Sequence, residues 1–280
     1  MLGDPHPNMT GPDELDPLDL RFEPDELDPV VDSIESFIQE TMSQAGADRA
    51  ILGLSGGIDS TTTAHLLVDA LGPEAVHGLV MPGRVSQADN MSDAERVALD
   101  LGIEYDVIEI EPFVDKLVGA FPETEIDQFA IGNARARVRA VLNYLLANHE
   151  NGLVVGTGNR TEILVGYFTK YGDGAVDCNP IGRLYKQQVR QVARHLGVDE
   201  DLVTKTPTAG LWTGQTDEDE LGIEYEVLDA ILALHIDGRL SAGATARMLD
   251  VDRELVDRVD TMVKRTEHKR TPPATPAPHD

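Results

Sequence analysis

The chain has 280 residues, 41% of them hydrophobic, and sets 50 acidic side chains against 23 basic ones for a net charge of −27 at pH 7. That length suffices for one α/β domain with a sizeable core or for two small domains, and the apolar content argues against a disordered polyanion. Such a negative field repels nucleic acid and anionic membranes, so neither is an expected partner, and a single cysteine, Cys178, excludes a disulfide framework or a cysteine-built zinc site.

Residues 1–29 are rich in Pro and Asp and read as a mobile arm. They lack the apolar core of a signal peptide, and no 18-residue apolar run follows, so the chain is expected to be soluble and cytoplasmic. "VVDSIESFIQETMSQAG" predicts an amphipathic helix with Val30, Ile34, Phe37, Ile38 and Met42 on one face. An alternation follows. "RAILGLS" is a strand, Asp59 to Leu71 a helix, "AVHGLVM" a strand, Asn90 to Leu101 a helix and "EYDVIEI" a strand. A long helix covers about Gln128 to Asn148, and "GLVVGT" is a fourth strand. Strands alternating with helices imply an α/β fold, a doubly wound parallel sheet flanked by helices. From about Leu184 the text is mainly helical, and "RTPPATPAPHD" is a Pro-rich tail that should not pack. One domain over 30–270 is expected, with a disordered tail over 271–280.

"LGLSGGIDS", residues 52–60, joins the first strand to its helix. Glycines there present free backbone N–H groups and the positive end of a helix to an anion, and phosphate is the natural guest. The loop is neither a Walker A, since no GK[ST] follows, nor G-x-G-x-x-G. A tight turn with a serine cap is the plain reading, but Asp59 weakens it. A carboxylate beside a phosphate makes sense chiefly where Mg²⁺ bridges the two. "LVVGTGNRTE", residues 153–162, imitates the start of a dinucleotide fingerprint with Asp177 about 20 residues on. Thr161 stands at its third glycine position, however, and the strand is late in the chain, so a nicotinamide-dependent dehydrogenase is the weaker rival.

Lysine is scarce: six Lys against 17 Arg. Spread acidity with few lysines is similar to proteins of salt-accumulating cells. A lysine retained in such a chain is worth following. Lys170, Lys186, Lys205 and Lys269 sit in aperiodic segments, whereas Lys116 and Lys264 lie in ordinary helical text as surface charges. Arg135, Arg137 and Arg139 in "GNARARVRA" cannot all share one helix face, so at least one is expected to be a salt-bridge donor. Together these cations suit a substrate with several phosphates and a carboxylate.

"LSGGIDS" resembles the pyrophosphate loop of the N-type ATP pyrophosphatases, which form an adenine nucleotide alpha hydrolase-like fold. "GNARARVRA", "GTGNRTE", "GYFTKYGDGAVD", "KTPTAGLW", "GQTDEDELG" and "HKR" then resemble, in order and over about residues 30–273, ammonia-dependent NAD synthetase. Ala140, Ala175, Val176 and Gly210 depart modestly from that pattern. The resemblance implies a ligase that forms a C–N bond. ATP adenylates the nicotinate carboxylate of deamido-NAD, ammonia displaces AMP, and no protein nucleophile is needed. It implies ATP phosphates held by Gly53, Leu54, Ser55, Gly56, Gly57, Ile58, Asp59 and Ser60, with Thr157, Lys186 and Thr208 also at ATP. Mg²⁺ is implied at Asp59 and Glu162, and deamido-NAD at Arg137, Lys170, Asp177, His268 and Lys269.

Read without the resemblance, Glu162 is a helix-capping acid, Asp177 a turn acid and His268 a solvated residue. Cys178 is expected to be buried and inert. The resemblance also implies a homodimer in which "HKR" reaches the neighbour's site, and mobile loops near Pro82–Asn90 and Lys205–Gly222. Glutamine-using relatives carry a further large domain for which this chain has no room, so free ammonia is the expected donor. Another ATP pyrophosphatase, or a nucleotide-sensing module without turnover, is the competing reading.

Overall fold

The computed structural model describes residues 19–84, 88–121, 123–208 and 217–276. Helix α1, Leu27–Ala45, buries Leu27, Val31, Ile34, Ile38 and Met42 at helical spacing and ends where Gly46 turns left-handed at φ 62°. The expected face was rotated slightly: Phe37 is 44% exposed, and Leu27 and Val31 take the inner positions. Residues 20–29 belong to the folded body rather than to a mobile arm. Phe22 N–H donates to Gln191 Oε1 at 2.7 Å, Gln191 Nε2 returns a bond to Phe22 O, and Gln188 Nε2 donates to Leu20 O.

Four parallel strands follow, β1 Arg49–Leu54, β2 Val76–Val80, β3 Glu104–Val107 and β4 Gly152–Val155, in the order β3-β2-β1-β4. Ala50 pairs with both Val76 and Leu153, which makes β1 a central strand. β3 stops at Val107, short of the expected "EYDVIEI", because Ile110 turns inward to begin an unpredicted helix, α4, Glu111–Gly119. Between β1 and β2 runs α2, Ile58–Leu71, and between β2 and β3 runs α3, Ala88–Leu101. The long helix α5, Gln128–His149, is capped by Asp127, whose side chain accepts from Ala130 N–H. On one face of the sheet α1 and α2 pack with α7, Lys186–His195; on the other α4 and α5 cover Ile51, Leu79 and Val154. The expected doubly wound arrangement is therefore present.

Three consecutive threonines in α2 are completely buried without penalty. Each hydroxyl donates to the carbonyl four residues back, as Thr62 does to Ile58 O at 2.8 Å. A second core joins α6, Arg160–Val165, to the C-terminal helices α9, Asp217–Leu221, α10, Tyr225–Ile231, α11, Ala242–Leu249, and α12, Arg253–Arg265. α8, Glu200–Val203, adds Leu202 and Val203 to the first core, and α13, Glu267–Arg270, is the last described helix. After α10 the backbone opens into a π-turn over Leu232–Asp237. It sets Asp237 between Arg160 and the Tyr185 hydroxyl, tying α6 to the entry of α7.

Twenty-seven net negative charges repel one another across this body. The screening length falls from ~10 Å at 0.1 M salt to ~3 Å at 1 M. The melting temperature is expected to be at least ~5 °C higher in 2 M KCl than in 0.1 M KCl, the equivalent of about 1–2 kcal/mol at this size. A scanning calorimetry trace that does not move with KCl would contradict the salt-adapted reading.

Candidate active site

The carboxyl ends of β1, β2 and β4 open into a cleft of about 540 Å³, the place where open parallel sheets bind ligands. All eight residues Gly53 to Ser60 line it. Gly56 stands at φ +71°, a region that favours glycine, and lets the chain turn from β1 into α2. The Ser55 hydroxyl receives Gly57 N–H at 3.2 Å and lies 3.0 Å from the Ser60 hydroxyl, which in turn donates to Gly57 O. These contacts fix the shape of the loop at the N-terminus of α2, a place that suits an anion.

The β4 loop forms the opposite wall. A Cβ on Gly156 would meet Asn179 Oδ1 at 2.3 Å, so glycine is required there by close packing rather than by a bound dinucleotide. Thr161 is fully buried and donates to Asp229, which leaves no room for a third fingerprint glycine's role. Asn159, not Glu162, caps α6, so the carboxylate of Glu162 is available to the cleft.

Below the loop, Lys186 is 1% exposed and places Nζ 2.5 Å from Asp59 Oδ2 and 3.1 Å from Glu162 Oε1. Nζ also lies 5.1 Å from the Tyr225 ring centre. Burial disfavours the ammonium, but Asp59 and Glu162 outweigh it and hold its pKa above the ordinary lysine value. Glu162 is the member that yields. Burial pushes its carboxyl up, the neighbouring Asp59 adds to that, and Lys186 opposes it. Asp229 seats the lysine from behind, accepting from Thr161 and from Gln187 N–H at the start of α7; burial raises its carboxyl to about 6.

Asp59 and Glu162 thus meet at Lys186 beside the glycine loop. Hard oxygen donors in that position fit a cation that bridges to phosphate. Among the described residues no group of three His, Cys, Asp or Glu side chains could cage a metal. Two carboxylates suit Mg²⁺, which keeps waters and takes its other ligands from a nucleotide.

Three of the chain's six lysines, Lys186, Lys205 and Lys269, line this single cleft. Lys205 Nζ reaches Gly56 O at 3.2 Å and Asp93 at 2.5 Å, so it latches its own segment to the cradle. Thr157 and Thr208 also line the wall. Lys116 is exposed, and Lys264 pairs on the surface with Asp260 at 2.6 Å. Of the three arginines, Arg135 is the expected salt-bridge donor, at 2.7 Å from Glu111. Arg139 lines the cleft, donates to Met81 O at 3.1 Å and is lowered by burial to about 10.

The residues expected at the second substrate are not brought together in the cleft. Lys269 alone of the five lines it, donating to Gly166 O and Phe168 O. Arg137, Lys170 and His268 form a separate ridge outside it. Arg137 donates to Lys170 O at 3.3 Å, and Lys170 Nζ donates to His268 O. Asp177 lies at the sheet edge, accepting from Val154 N–H at 2.8 Å and from Tyr144 OH at 3.1 Å. "HKR" docks on its own chain, because Lys269 and Arg270 satisfy the carbonyls that end α6. Cys178 is half-buried rather than buried, and burial raises its thiol to about 11, a weak nucleophile. Asn159, Asp217, Tyr225 and Asp229 were not singled out from sequence. Asp217 lines the cleft and is held by the hydroxyls of Tyr167 and Tyr225. Gly210 and much of both expected mobile loops lie outside the described residues.

The family model described as NAD synthase matches residues 30–273. The chain is 62% identical over 268 residues to the NH(3)-dependent NAD(+) synthetase of Halobacterium salinarum strain R1, covering 96% of this chain and 100% of that one. Among solved structures it is similar to the NMN synthetase of Francisella tularensis, with a TM-score of 0.79, 33% identity and coverage of 89% and 98%. The NH3-dependent NAD synthetase of Campylobacter jejuni, in complex with nitrate, gives a TM-score of 0.75, 30% identity and coverage of 90% and 99%.

Proposed function

This chain belongs to the NAD synthase family, and we propose that it is an ATP-dependent ligase that amidates deamido-NAD with ammonia, the last step in making NAD. The observation that supports this most directly is Lys186 between Asp59 and Glu162, directly beneath the glycine cradle of Ser55–Gly57. That set is suited to phosphates with a bridging cation, and no His or Cys is among the described residues lining the cleft.

A nicotinate carboxylate is a poor acyl donor at neutral pH. Its oxygen attacks the α-phosphorus of ATP, pyrophosphate departs, and ammonia then attacks the acyl carbon and expels AMP, leaving the amide. The protein's part is charge neutralisation and positioning. The N–H groups of the cradle and the N-terminus of α2 receive the departing pyrophosphate. Lys186 and Lys205 supply positive charge on the same side, and Thr157 and Thr208 line the ATP wall. Mg²⁺ held by Asp59 and Glu162 would neutralise phosphate charge. Lys269, with the Arg137, Lys170 and His268 ridge and Asp177, is assigned to deamido-NAD. The test is to incubate the protein with ATP, Mg²⁺, ammonium and either deamido-NAD or nicotinate mononucleotide. AMP and NAD are expected from the first and little turnover from the second. Faster turnover of the mononucleotide, or ADP as product, would overturn the assignment.

The ridge needs a second wall, which a homodimer supplies. α4, the turn that follows it and α5 present Phe113, Leu117, Phe121, Val141 and Leu145, each between 47% and 67% exposed, a face that suits a second copy. Val141→Glu with Leu145→Glu is expected to convert a dimer of 30.4 kDa chains into monomers by analytical ultracentrifugation. A dimer that survives both changes has its interface elsewhere. The cytoplasm is the compartment that fits; no helix among the described residues is long and apolar enough to cross a membrane.

A further inference from the structure

Asp59 is held from two sides. Lys186 takes Oδ2, while Oδ1 accepts a bond of 3.0 Å from Asn159 Nδ2. Asn159 is completely buried, and its own Oδ1 accepts from Glu162 N–H at 3.0 Å as it caps α6. One amide therefore touches the side chain of Asp59 and the backbone of Glu162, although Asp59 lies 100 residues away in the chain. The two contacts ask for opposite chemistry. The cap needs an acceptor and the carboxylate needs a donor, and a primary amide offers both at fixed geometry. Serine or aspartate would serve equally well as a cap. The cap alone therefore does not account for asparagine.

We propose that Asn159 is a positioning residue: it aims the Asp59 carboxylate and the first turn of α6 at one point, and thereby sets the affinity of the divalent cation bound there. The inference rests on reading Asp59 and Glu162 as that cation's ligands. A carboxylate turns about a soft terminal torsion. With only Lys186 holding it, Asp59 would follow the ammonium rather than face Glu162. Partners that orient a ligand in this way typically set metal affinity by ~10–100-fold.

The test uses Mn²⁺ as the probe, with free Mn²⁺ read by electron paramagnetic resonance in the presence of a non-hydrolysable ATP analogue. Asn159→Ser keeps the cap and is expected to melt within a few degrees of wild type, yet to bind Mn²⁺ about 10-fold more weakly. In an Asp59→Asn background the same change should have no further effect, since Asn159 acts through Asp59. Wild-type Mn²⁺ affinity in Asn159→Ser, or an equal tenfold loss in both backgrounds, would overturn the proposal. If the serine variant does not fold, Asn159→Gly, which costs little at a cap, carries the same cycle. A Glu162→Gln arm separates the two layers. Weakened binding there with none in Asn159→Ser removes Asn159 alone, whereas unchanged binding in Glu162→Gln removes the ligand reading and this proposal with it.

Discussion

Replacing Lys186 by methionine is expected to abolish turnover and to destabilise the ligand-free chain by about 3 kcal/mol. That is the low end of the ~3–5 kcal/mol seen when one member of a buried ion pair is removed. The low end applies because Asp59 and Glu162 keep 18% and 16% of their side chains in contact with water. Methionine fills the stem's volume and keeps the packing against Tyr225, so the change isolates the charge. Two carboxylates are then left facing each other without an ammonium. A divalent cation should replace the missing charge, so millimolar Mg²⁺ is expected to raise the variant's stability by more than it raises wild type's. Saturation at 100 times the dissociation constant corresponds to ~2.7 kcal/mol. Urea melts with and without Mg²⁺ check this. A variant as stable as wild type without Mg²⁺ would show that Lys186 does not neutralise the pair.

The carboxylates themselves should affect turnover without the loss of stability. Asp59→Asn and Glu162→Gln are each expected to lose at least ~100-fold in kcat, the scale of a lost electrostatic partner of the transition state, while melting near the wild-type temperature. Stability is largely spared because each amide is nearly isosteric: Glu162→Gln still accepts from Lys186 Nζ, and Asp59→Asn keeps an acceptor for Lys186 while giving up the one for Asn159 Nδ2. Glu162→Gln also removes a charge that burial and Asp59 already disfavour. The measurement is kcat at saturating ATP over a full Mg²⁺ titration. Near-wild-type rate at any Mg²⁺ concentration would take that residue out of the reaction. A loss of stability on removing the lysine, with little change on removing either carboxylate, is the signature of one ammonium shared between two acids.

Much of this could be read in the amino acids themselves. Apolar runs broken by glycine loops and amphipathic helices have a local cause in the period of 2 or 3.6 residues, so the parallel α/β order was legible without coordinates. So was the glycine loop "SGGIDS" between a strand and a helix, which the fold sets at the mouth of the cleft. Scarcity made the lysines informative: of the four singled out, Lys186, Lys205 and Lys269 line the cleft and Lys170 stands just outside it. The α4 helix was missed because the alternation in "EYDVIEI" continues past the strand's end at Val107, and the one local mark of the helix, Pro112 in its first turn, was not used.

Tertiary structure alone decided how these pieces meet. That Asp59 and Glu162 converge on Lys186 is a consequence of β1 and β4 lying side by side, a pairing set by burial of both strands between two helical layers. Asn159, Asp217 and Asp229 carry no periodic or compositional mark, because their partners lie 100, 50 and 68 residues away for Asp59, Tyr167 and Thr161. A polar side chain in a core is specified by the one group it satisfies, and that group is known only once the chain has folded. The same reason places Arg135 in an ion pair and Arg139 in the cleft although they stand only four residues apart on one helix. Residue type and spacing determined the kind of groups available, a glycine loop with carboxylates and cations. The packing of the sheet against its helices determined which of those charges share a site.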